Sequence, residues 1–409
     1  MWPNADQSAG IMAASTMHWV TEGAGPIVLG VWSLVSLVWW ILAVWLVQGT
    51  RRDDGDATSD RETPLAPLTL FKPLPRVESP EMAANLALAL ESFLAQMDSS
   101  CEMLLGIPED QATLWLPRVT GWRDRFPEAA IREVVRPTPR QHPNPKISWL
   151  AVLAPEARGS DWLWSDADIL APRGLLTRIR RQLASDEGIR AVTVPYCIRT
   201  TPYATGWLDA LFVDMEFLPG TLLLRRMGTV SLGFGAALLF RSRDFLTNVS
   251  WGELGASLAD DHELGRQLAP VRIADTVAET CALESSLLPA LRHLHRWQKT
   301  IRWCRPMGFA ALVVLFPLFG FVAALSLSPG SRLLWSGLAG QYLLETAVVL
   351  ILLNRVGFSG PRRGLVFGLL WPTLRCLVWL AAWLPLPVVW QDPGDTWANR
   401  QRPPKGPST

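Results

Sequence analysis

The stretch Asp161-Trp162-Leu163-Trp164-Ser165-Asp166-Ala167-Asp168-Ile169-Leu170 decides how the rest of the chain is read. An apolar run leads into two carboxylates one residue apart, and apolar residues follow. If Trp162–Ser165 is a buried strand, Asp166 and Asp168 stand at its end, and the two-residue strand period aims both side chains the same way. Two convergent carboxylates suit a hard divalent cation, Mg²⁺ or Mn²⁺, that leaves positions open for substrate phosphate oxygens. The alternative is a charged turn that merely closes a strand. A second Asp-x-Asp, Asp54-Gly55-Asp56, has no strand before it and reads as solvated linker.

Outward from that stretch, Leu65 to about Leu288 reads as one α/β domain. Strands are expected at Leu68–Phe71, Glu102–Ile107, Ile131–Val135 and Ala191–Pro195. Helices are expected at Glu81–Met97, Ala112–Phe126 and Ile147–Ala157, the last after a proline-rich loop at Arg140–Lys146. Strands alternating with helices imply a mostly parallel sheet whose ligands lie at the strands' carboxyl ends. Lys72, Glu109/Asp110 and Asp166/Asp168 each follow an expected strand, so they should meet in one crevice, and that convergence favours the metal reading. Leu208–Leu224 is apolar and aromatic: a core helix, or a surface lying on a membrane or walling a lipid channel. Gly233-Phe234-Gly235 permits close backbone approach to a ligand. In Leu258-Ala259-Asp260-Asp261-His262-Glu263, adjacent carboxylates fall at an expected helix N-terminus, where capping is the plain alternative.

Composition sets the surroundings. Of 409 residues, 49% are hydrophobic and 18% charged, and 21 are Trp, many beside long apolar runs as at membrane interfaces. A net charge of +1 gives no case for nucleic acid. Five scattered cysteines lack metal-ligand spacing and argue for a reduced compartment without a disulfide framework. Residues 1–25 form a tail. Residues 26–48 are long and apolar enough for an uncleaved anchor, followed by a charged linker at 49–64. Arg51 and Arg52 come after the anchor and no Lys or Arg precedes it, which puts the following domain in the cytoplasm. Beyond the domain (65–290) comes a basic, aromatic segment, 291–305, readable as a cationic belt on anionic lipid or as guanidinium groups for a pyrophosphate. Three spans are expected in 306–390, at Pro306–Ser328, Leu333–Leu353 and Leu365–Trp390, the last kinked near Pro372 or re-entrant. Glu345 and Arg375 are ionisable groups inside spans, expected to pair or to face a lipid headgroup. Residues 391–409 read as a disordered tail.

Phe71-Lys72-Pro73-Leu74, Asn144-Pro145-Lys146, Ser165-Asp166-Ala167-Asp168, the Asp260-Asp261 segment and His293–Trp297 occur in the order found in membrane glycosyltransferases of the ceramide glucosyltransferase type. The chain resembles these, and among them the bacterial hopanoid-associated glycosyltransferases, over roughly Leu68 to Phe309. The resemblance implies a GT-A fold, a UDP-sugar donor, a divalent metal and an inverting reaction on a lipid acceptor, hopanoid or ceramide, at the cytoplasmic face of the inner membrane. By position, Asp261 is the implied catalytic base and Asp166 and Asp168 the metal carboxylates. Lys72, Pro73, Glu109, Asp110, Lys146, Asp166, Arg296, Trp297 and Arg302 are the implied nucleotide-sugar contacts, with Trp297 packing on the two guanidinium groups. Gly235, Asp260 and His293 are the implied acceptor contacts. Two departures stand out: His293 where the family has Gln or Arg, and the short Pro108-Glu109-Asp110-Gln111, which leaves open which carboxylate faces the nucleotide. N-acetylglucosamine is the implied sugar for the hopanoid branch and glucose for the ceramide branch. Three C-terminal spans leave little room for the export channel of a processive polysaccharide synthase. A membrane scaffold or a transporter is the reading of another class, and the sequence shows no internal repeat of the transporter kind.

Overall fold

The computed structural model of the chain describes residues 24–48, 65–389 and 396–397. Residues 1–23, the 49–64 linker with Asp54 and Asp56, and residues 390–409 other than 396–397 lie outside them.

A seven-stranded sheet carries the domain. Its strands are β1 (Leu68–Pro73), β2 (Cys101–Pro108), β3 (Ala130–Arg136), β4 (Asp161–Trp164), β5 (Ala191–Val194), β7 (Ala237–Arg241) and β8 (Val271–Ile273), in the order β3-β2-β1-β4-β7-β5-β8. All neighbours run parallel except β7, which is antiparallel to both β4 and β5. β6 (Tyr196–Thr200) and β9 (Ala278–Cys281) form a separate parallel ladder. β2 is buried at every position, as expected for an interior strand with both faces covered. The β1–β4 register pairs Phe71 with Trp164, so Lys72 and Ser165 emerge side by side at the carboxyl edge.

Two of the crossover helices begin with a side-chain cap. Ser79 caps α1 of the domain (Pro80–Leu94) by accepting from Met82 N, with Pro80 in the first turn. α2 is Ala112–Arg125. Asn144 caps α3 (Pro145–Leu153), its side chain accepting from Lys146 N and Ile147 N. The Asn-Pro-Lys run is thus a helix start, and a short 3₁₀ turn (Ala154–Glu156) replaces the last turn expected of that helix. One face of the sheet packs Leu90, Phe93, Trp115 and Ile179. The other packs Phe71, Trp162, Trp164, Phe240 and Phe245 with ring centroids 5.1–6.4 Å apart. Each such ring contributes about 1.5–3 kcal/mol by leaving water.

The Leu208–Leu224 stretch is a buried helical rod: α4 (Trp207–Phe212), a π-helical turn (Val213–Phe217) and α5 (Leu218–Met227). It is core, but of a particular kind, because it packs the domain against the apolar helices. Trp207, Leu211, Phe212 and Leu218 share a cluster with Trp40, Leu46, Val348, Leu352 and Trp371. The N-terminal helix Ala24–Val47 turns Trp40 and Ala43 into that cluster and leaves Ile27, Val31, Leu34, Val38 and Ile41 exposed.

Gly25–Val47, Arg332–Val356 and Arg362–Ala381 are long and apolar enough to cross a membrane. Pro306–Leu315 and Pro317–Leu327 meet at 62° and form a fourth span if they act as one. The break therefore falls elsewhere than expected: Leu365–Ala381 runs unbroken through Pro372, whereas Phe316 leaves helical geometry (φ −117°, ψ 61°) before Pro317. The ring of a proline crowds the residue before it out of the α region. The last helix stops at Ala381, short of the expected Trp390, because Pro385 and Pro387 follow at once. Glu345 and Arg375 do pair, at 3.2 Å, and Glu216 of the π turn adds a second carboxylate 3.1 Å from the same guanidinium.

Candidate active site

The carboxyl edge of the sheet collects the polar residues. Lys72 is fully buried at the end of β1 and donates to Ser165 Oγ (2.9 Å) and the Asp166 carbonyl (2.7 Å). Ser165 in turn donates to the Ala236 carbonyl at 2.6 Å. Burial pulls the Lys72 ammonium down to about 7, against the opposing pull of Asp168 and Asp166. Lys72 thereby fastens the turn that presents the two aspartates, and Pro73 closes the strand beside it.

Lys146, thrown forward by the Asn144 cap, joins two acidic segments: its Nζ lies 2.7 Å from Asp166 Oδ1 and 3.0 Å from Asp260 Oδ2. These carboxylates push its ammonium well above the usual lysine value despite burial. Asn144 Nδ2 donates to Asp260 Oδ1 at 3.2 Å, so the cap residue also holds the far side of the cluster. Asp260 and Asp261 open α8 (Asp260–Gln267), which follows α6 (Ser242–Asn248) and α7 (Trp251–Ala256). They do sit in a helix's first turn, yet no side-chain capping bond is made from Ala259, and Asp260 is spent on Lys146 and Asn144. Asp261 Oδ1 accepts from the next residue's N–H at 2.8 Å. Desolvation and then the charge of Asp260 push its carboxyl up to about 7.

Gly235 stands between the two acidic segments. A Cβ there would lie 2.6 Å from Asp166 Oδ2 and 3.5 Å from Asp261 Oδ2, so both carboxylates border the same backbone position. Its carbonyl accepts from Asp166 N at 3.1 Å. Gly265 lets α8 approach this loop, since a Cβ there would meet Gly233 N and Leu232 C at 2.1 Å.

Asp168 turns to β9, where Thr280 Oγ1 donates to its Oδ2 at 2.8 Å. Among the described residues no group of three or more His, Cys, Asp and Glu side chains forms a metal cage. Two carboxylates from one turn are the donor set expected for a small hard cation that takes its other ligands from water and phosphate. The residues present fit such a cation, and the half-open Asp166 side chain (40% exposed) gives access.

Glu109 and Asp110 lie in a 3₁₀ turn at the end of β2, next to β1. Both are exposed, and Asp110 pairs with Arg76 at the rim. They share the sheet edge with Lys72, and neither is drawn into the Lys146 cluster.

The basic segment lies within α9 (Leu287–Cys304). His293 Nδ1 is 3.1 Å from Asp209 Oδ2, and its ring packs on Trp297 at 4.2 Å. Trp297 also leans on Phe212 at 5.4 Å and belongs to the core that joins domain and spans. This differs from the expected packing of Trp297 on Arg296 and Arg302: adjacent side chains on a helix point apart, and the ring takes the apolar side. Burial lowers the Arg296 guanidinium, while Asp209, Glu284 and Asp166 act to keep it charged, which puts it within the field of the acidic edge. Arg302 stacks over Trp383 with its Cζ 5.2 Å from the ring, at the level of the last apolar helix.

Three side chains at this edge escaped sequence reasoning. Asp209 had a signal, one of three carboxylates (with Asp214 and Glu216) inside an apolar run. Thr280 and Tyr196 had none, because only the β6–β9 ladder brings them in. Burial first, and then the charges of Asp261, Asp166, Asp168 and Asp209, push the Tyr196 phenol up.

Among solved structures, the chain is similar to the mannosyltransferase PcManGT from Pyrobaculum calidifontis, in complex with GDP-Man and Mn2+. The identity is 16% and the TM-score 0.45, over 87% of this chain and 97% of that one. It is also similar to GalNAc-T7 with UDP, GalNAc and Mn2+ (10% identity, TM-score 0.38, covering 68% of this chain and 55% of that one). S. aureus TarS 1–349 is a third (10%, TM-score 0.35, 71% and 89%). No curated protein matches the chain in sequence. The pattern of glycosyl transferase family 21 matches residues 27–394, nearly the whole chain. The protein belongs to glycosyl transferase family 21, the ceramide glucosyltransferase family, and is a sugar-nucleotide-dependent glycosyltransferase with a GT-A-like catalytic domain.

Proposed function

We propose that the protein is an inverting, metal-dependent transferase that moves a sugar, N-acetylglucosamine by preference, from a UDP-sugar to a hydroxyl of a hopanoid lipid. The observation that supports it most is the pair Asp166 and Asp261 bordering Gly235, one beside a cation-type turn and the other a carboxyl held near neutral pH. Asp166 and Asp168 would hold the divalent cation, Mg²⁺ or Mn²⁺, which supplies charge neutralisation for the departing diphosphate. Asp261 takes the proton from the attacking lipid hydroxyl at Oδ2, the oxygen that its neighbour's N–H leaves open. One base opposite the leaving group accounts for inversion without a covalent sugar–enzyme step. Lys146 holds Asp166 and Asp260 in place. Lys72, Pro73, Glu109, Asp110, Arg296 and Trp297 border the donor, and Gly235, Asp260 and His293 the acceptor. Arg302, stacked on Trp383, serves the pyrophosphate only if it leaves that ring.

The catalytic domain faces the cytoplasm, on the reading that Arg51, Arg52, Arg355, Arg362 and Arg363 mark the inner side of the membrane. The apolar helices then bring an insoluble acceptor to the sheet edge. Transfer of glucose to ceramide is the second reading, and family membership favours it no less. Purified protein given UDP-GlcNAc or UDP-glucose with hopanoid or ceramide acceptors distinguishes them. Hopanoid product from UDP-GlcNAc is expected, and ceramide product from UDP-glucose alone overturns the preference.

A further inference from the structure

Asp209 is a buried carboxylate that the mechanism above leaves unused. It lies in α4 within an apolar run, 2% exposed, and its Oδ1 has no hydrogen-bond partner among the described residues. A core designed for stability alone would place an apolar residue there, because a buried charge is costly unless well paired. Every partner Asp209 has belongs to the basic segment or faces it. Its Oδ2 lies 3.1 Å from His293 Nδ1, and of the charges acting on Arg296, three residues further along the same helix face, Asp209 is the strongest. Glu284 Oε1 approaches the same histidine nitrogen at 3.9 Å from the surface side.

A carboxylate at Nδ1 decides the chemistry of an imidazole. It accepts a hydrogen bond from Nδ1–H, so in the neutral ring Nε2 is the acceptor, and the ring plane is locked. The ring also packs against Trp297, tilted at 49° with centroids 4.2 Å apart, and Trp297 leans on Phe212, one turn along from Asp209. Orientation and tautomer are therefore set from one short helix.

We propose that Asp209 is a positioning residue of the transferase site: it fixes His293 so that the free ring nitrogen accepts a hydrogen bond from a hydroxyl of the acceptor. The inference rests on the glycosyl-transfer reading above. It assigns no proton transfer to Asp209, which touches no reacting atom.

The test is a double-mutant cycle on full-length protein in detergent, read as sugar transfer with donor and acceptor varied separately. Asp209→Asn keeps shape and removes the charge. It should lower kcat/KM for the acceptor about 10- to 100-fold, the usual cost of losing such a partner, with donor KM within about threefold. In a His293→Gln background the same change should cost at least about fivefold less, because the residue it positions is gone. Should the Asn variant not fold, Asp209→Glu is assayed in the same two backgrounds, where a smaller loss with the same coupling is expected. Equal fold losses in both backgrounds, or none in either, overturn the inference while leaving the transferase reading intact. A wild-type protein that transfers no sugar to any lipid overturns both.

Discussion

Substituting Gly235 by alanine tests how tightly the two acidic segments meet. The new methyl would lie 2.6 Å from Asp166 Oδ2, and ordinary contact begins near 3.4 Å, so the carboxylate must retreat by about 0.8 Å. Asp261 Oδ2, at 3.5 Å, need not move. The neighbour that yields is the end of a side chain, so the fold should survive, with an unfolding midpoint close to wild type. The site should not, because Asp166 is tied to Lys146 at 2.7 Å and a shift of this size breaks the geometry that the proposed cation and donor require. A displacement of about 1 Å at a reacting centre costs roughly 100-fold in rate, and kcat/KM for sugar transfer should fall on that order. A divalent-metal titration of the same variant should show its midpoint moved to higher concentration. Full activity in Gly235→Ala would refute the reasoning, since Asp166 would then have room the structure denies it. A large loss of thermal stability would refute it differently, by making the effect one of folding.

Further predictions follow from other contacts. On the proposed reading Asp261 works as a carboxylate, and its carboxyl is raised to about 7, so kcat/KM should fall tenfold per pH unit below that value rather than near pH 4. Asp260→Asn removes the like charge and should move this acid limb to lower pH. The linked stability has the opposite sign: the native state holds the Asp261 proton more tightly between its ordinary 3.8 and about 7, so this group's contribution is lost as pH rises through that window. Asn144→Ala removes a cap and the bond to Asp260 together. Stability should fall by about 1–2 kcal/mol in a denaturation series, and transfer activity by about tenfold as Lys146 loses its frame. Arg375→Met strands Glu216 and Glu345 in apolar surroundings, and thermal unfolding should show a loss of about 3–5 kcal/mol, partly recovered by adding Glu345→Gln.

Much of the candidate site was legible because its residues are placed by local structure. The run before Asp166 has the apolar density of a buried strand, and the turn after it follows from the register of β1 with β4. Asn144-Pro145-Lys146 was recognisable as a motif, and the structure adds its physical reason: the cap aims Lys146 at two acidic segments. What escaped is what depends on long-range pairing. Thr280 reaches Asp168 only through the β6–β9 ladder, and Asp209 reaches His293 across 84 positions. Strand-end position placed Glu109 and Asp110 on the right edge but could not tell that Asp110 pairs with Arg76 at the rim. The broken span illustrates the limit from the other side. Pro372 and Pro317 look alike as helix breakers, and only Phe316 lets its helix go.

The central claim is that Asp261 removes a proton from a lipid hydroxyl opposite a donor held at Asp166 and Asp168. The most direct measurement follows radiolabelled sugar from UDP-GlcNAc to purified hopanoid, with and without divalent metal, in wild type and in Asp261→Asn, with UDP binding measured on both. Metal-dependent product in wild type, with the variant inactive yet binding UDP as tightly, is the predicted result. Transfer by Asp261→Asn at a rate near wild type would contradict the account and require another base.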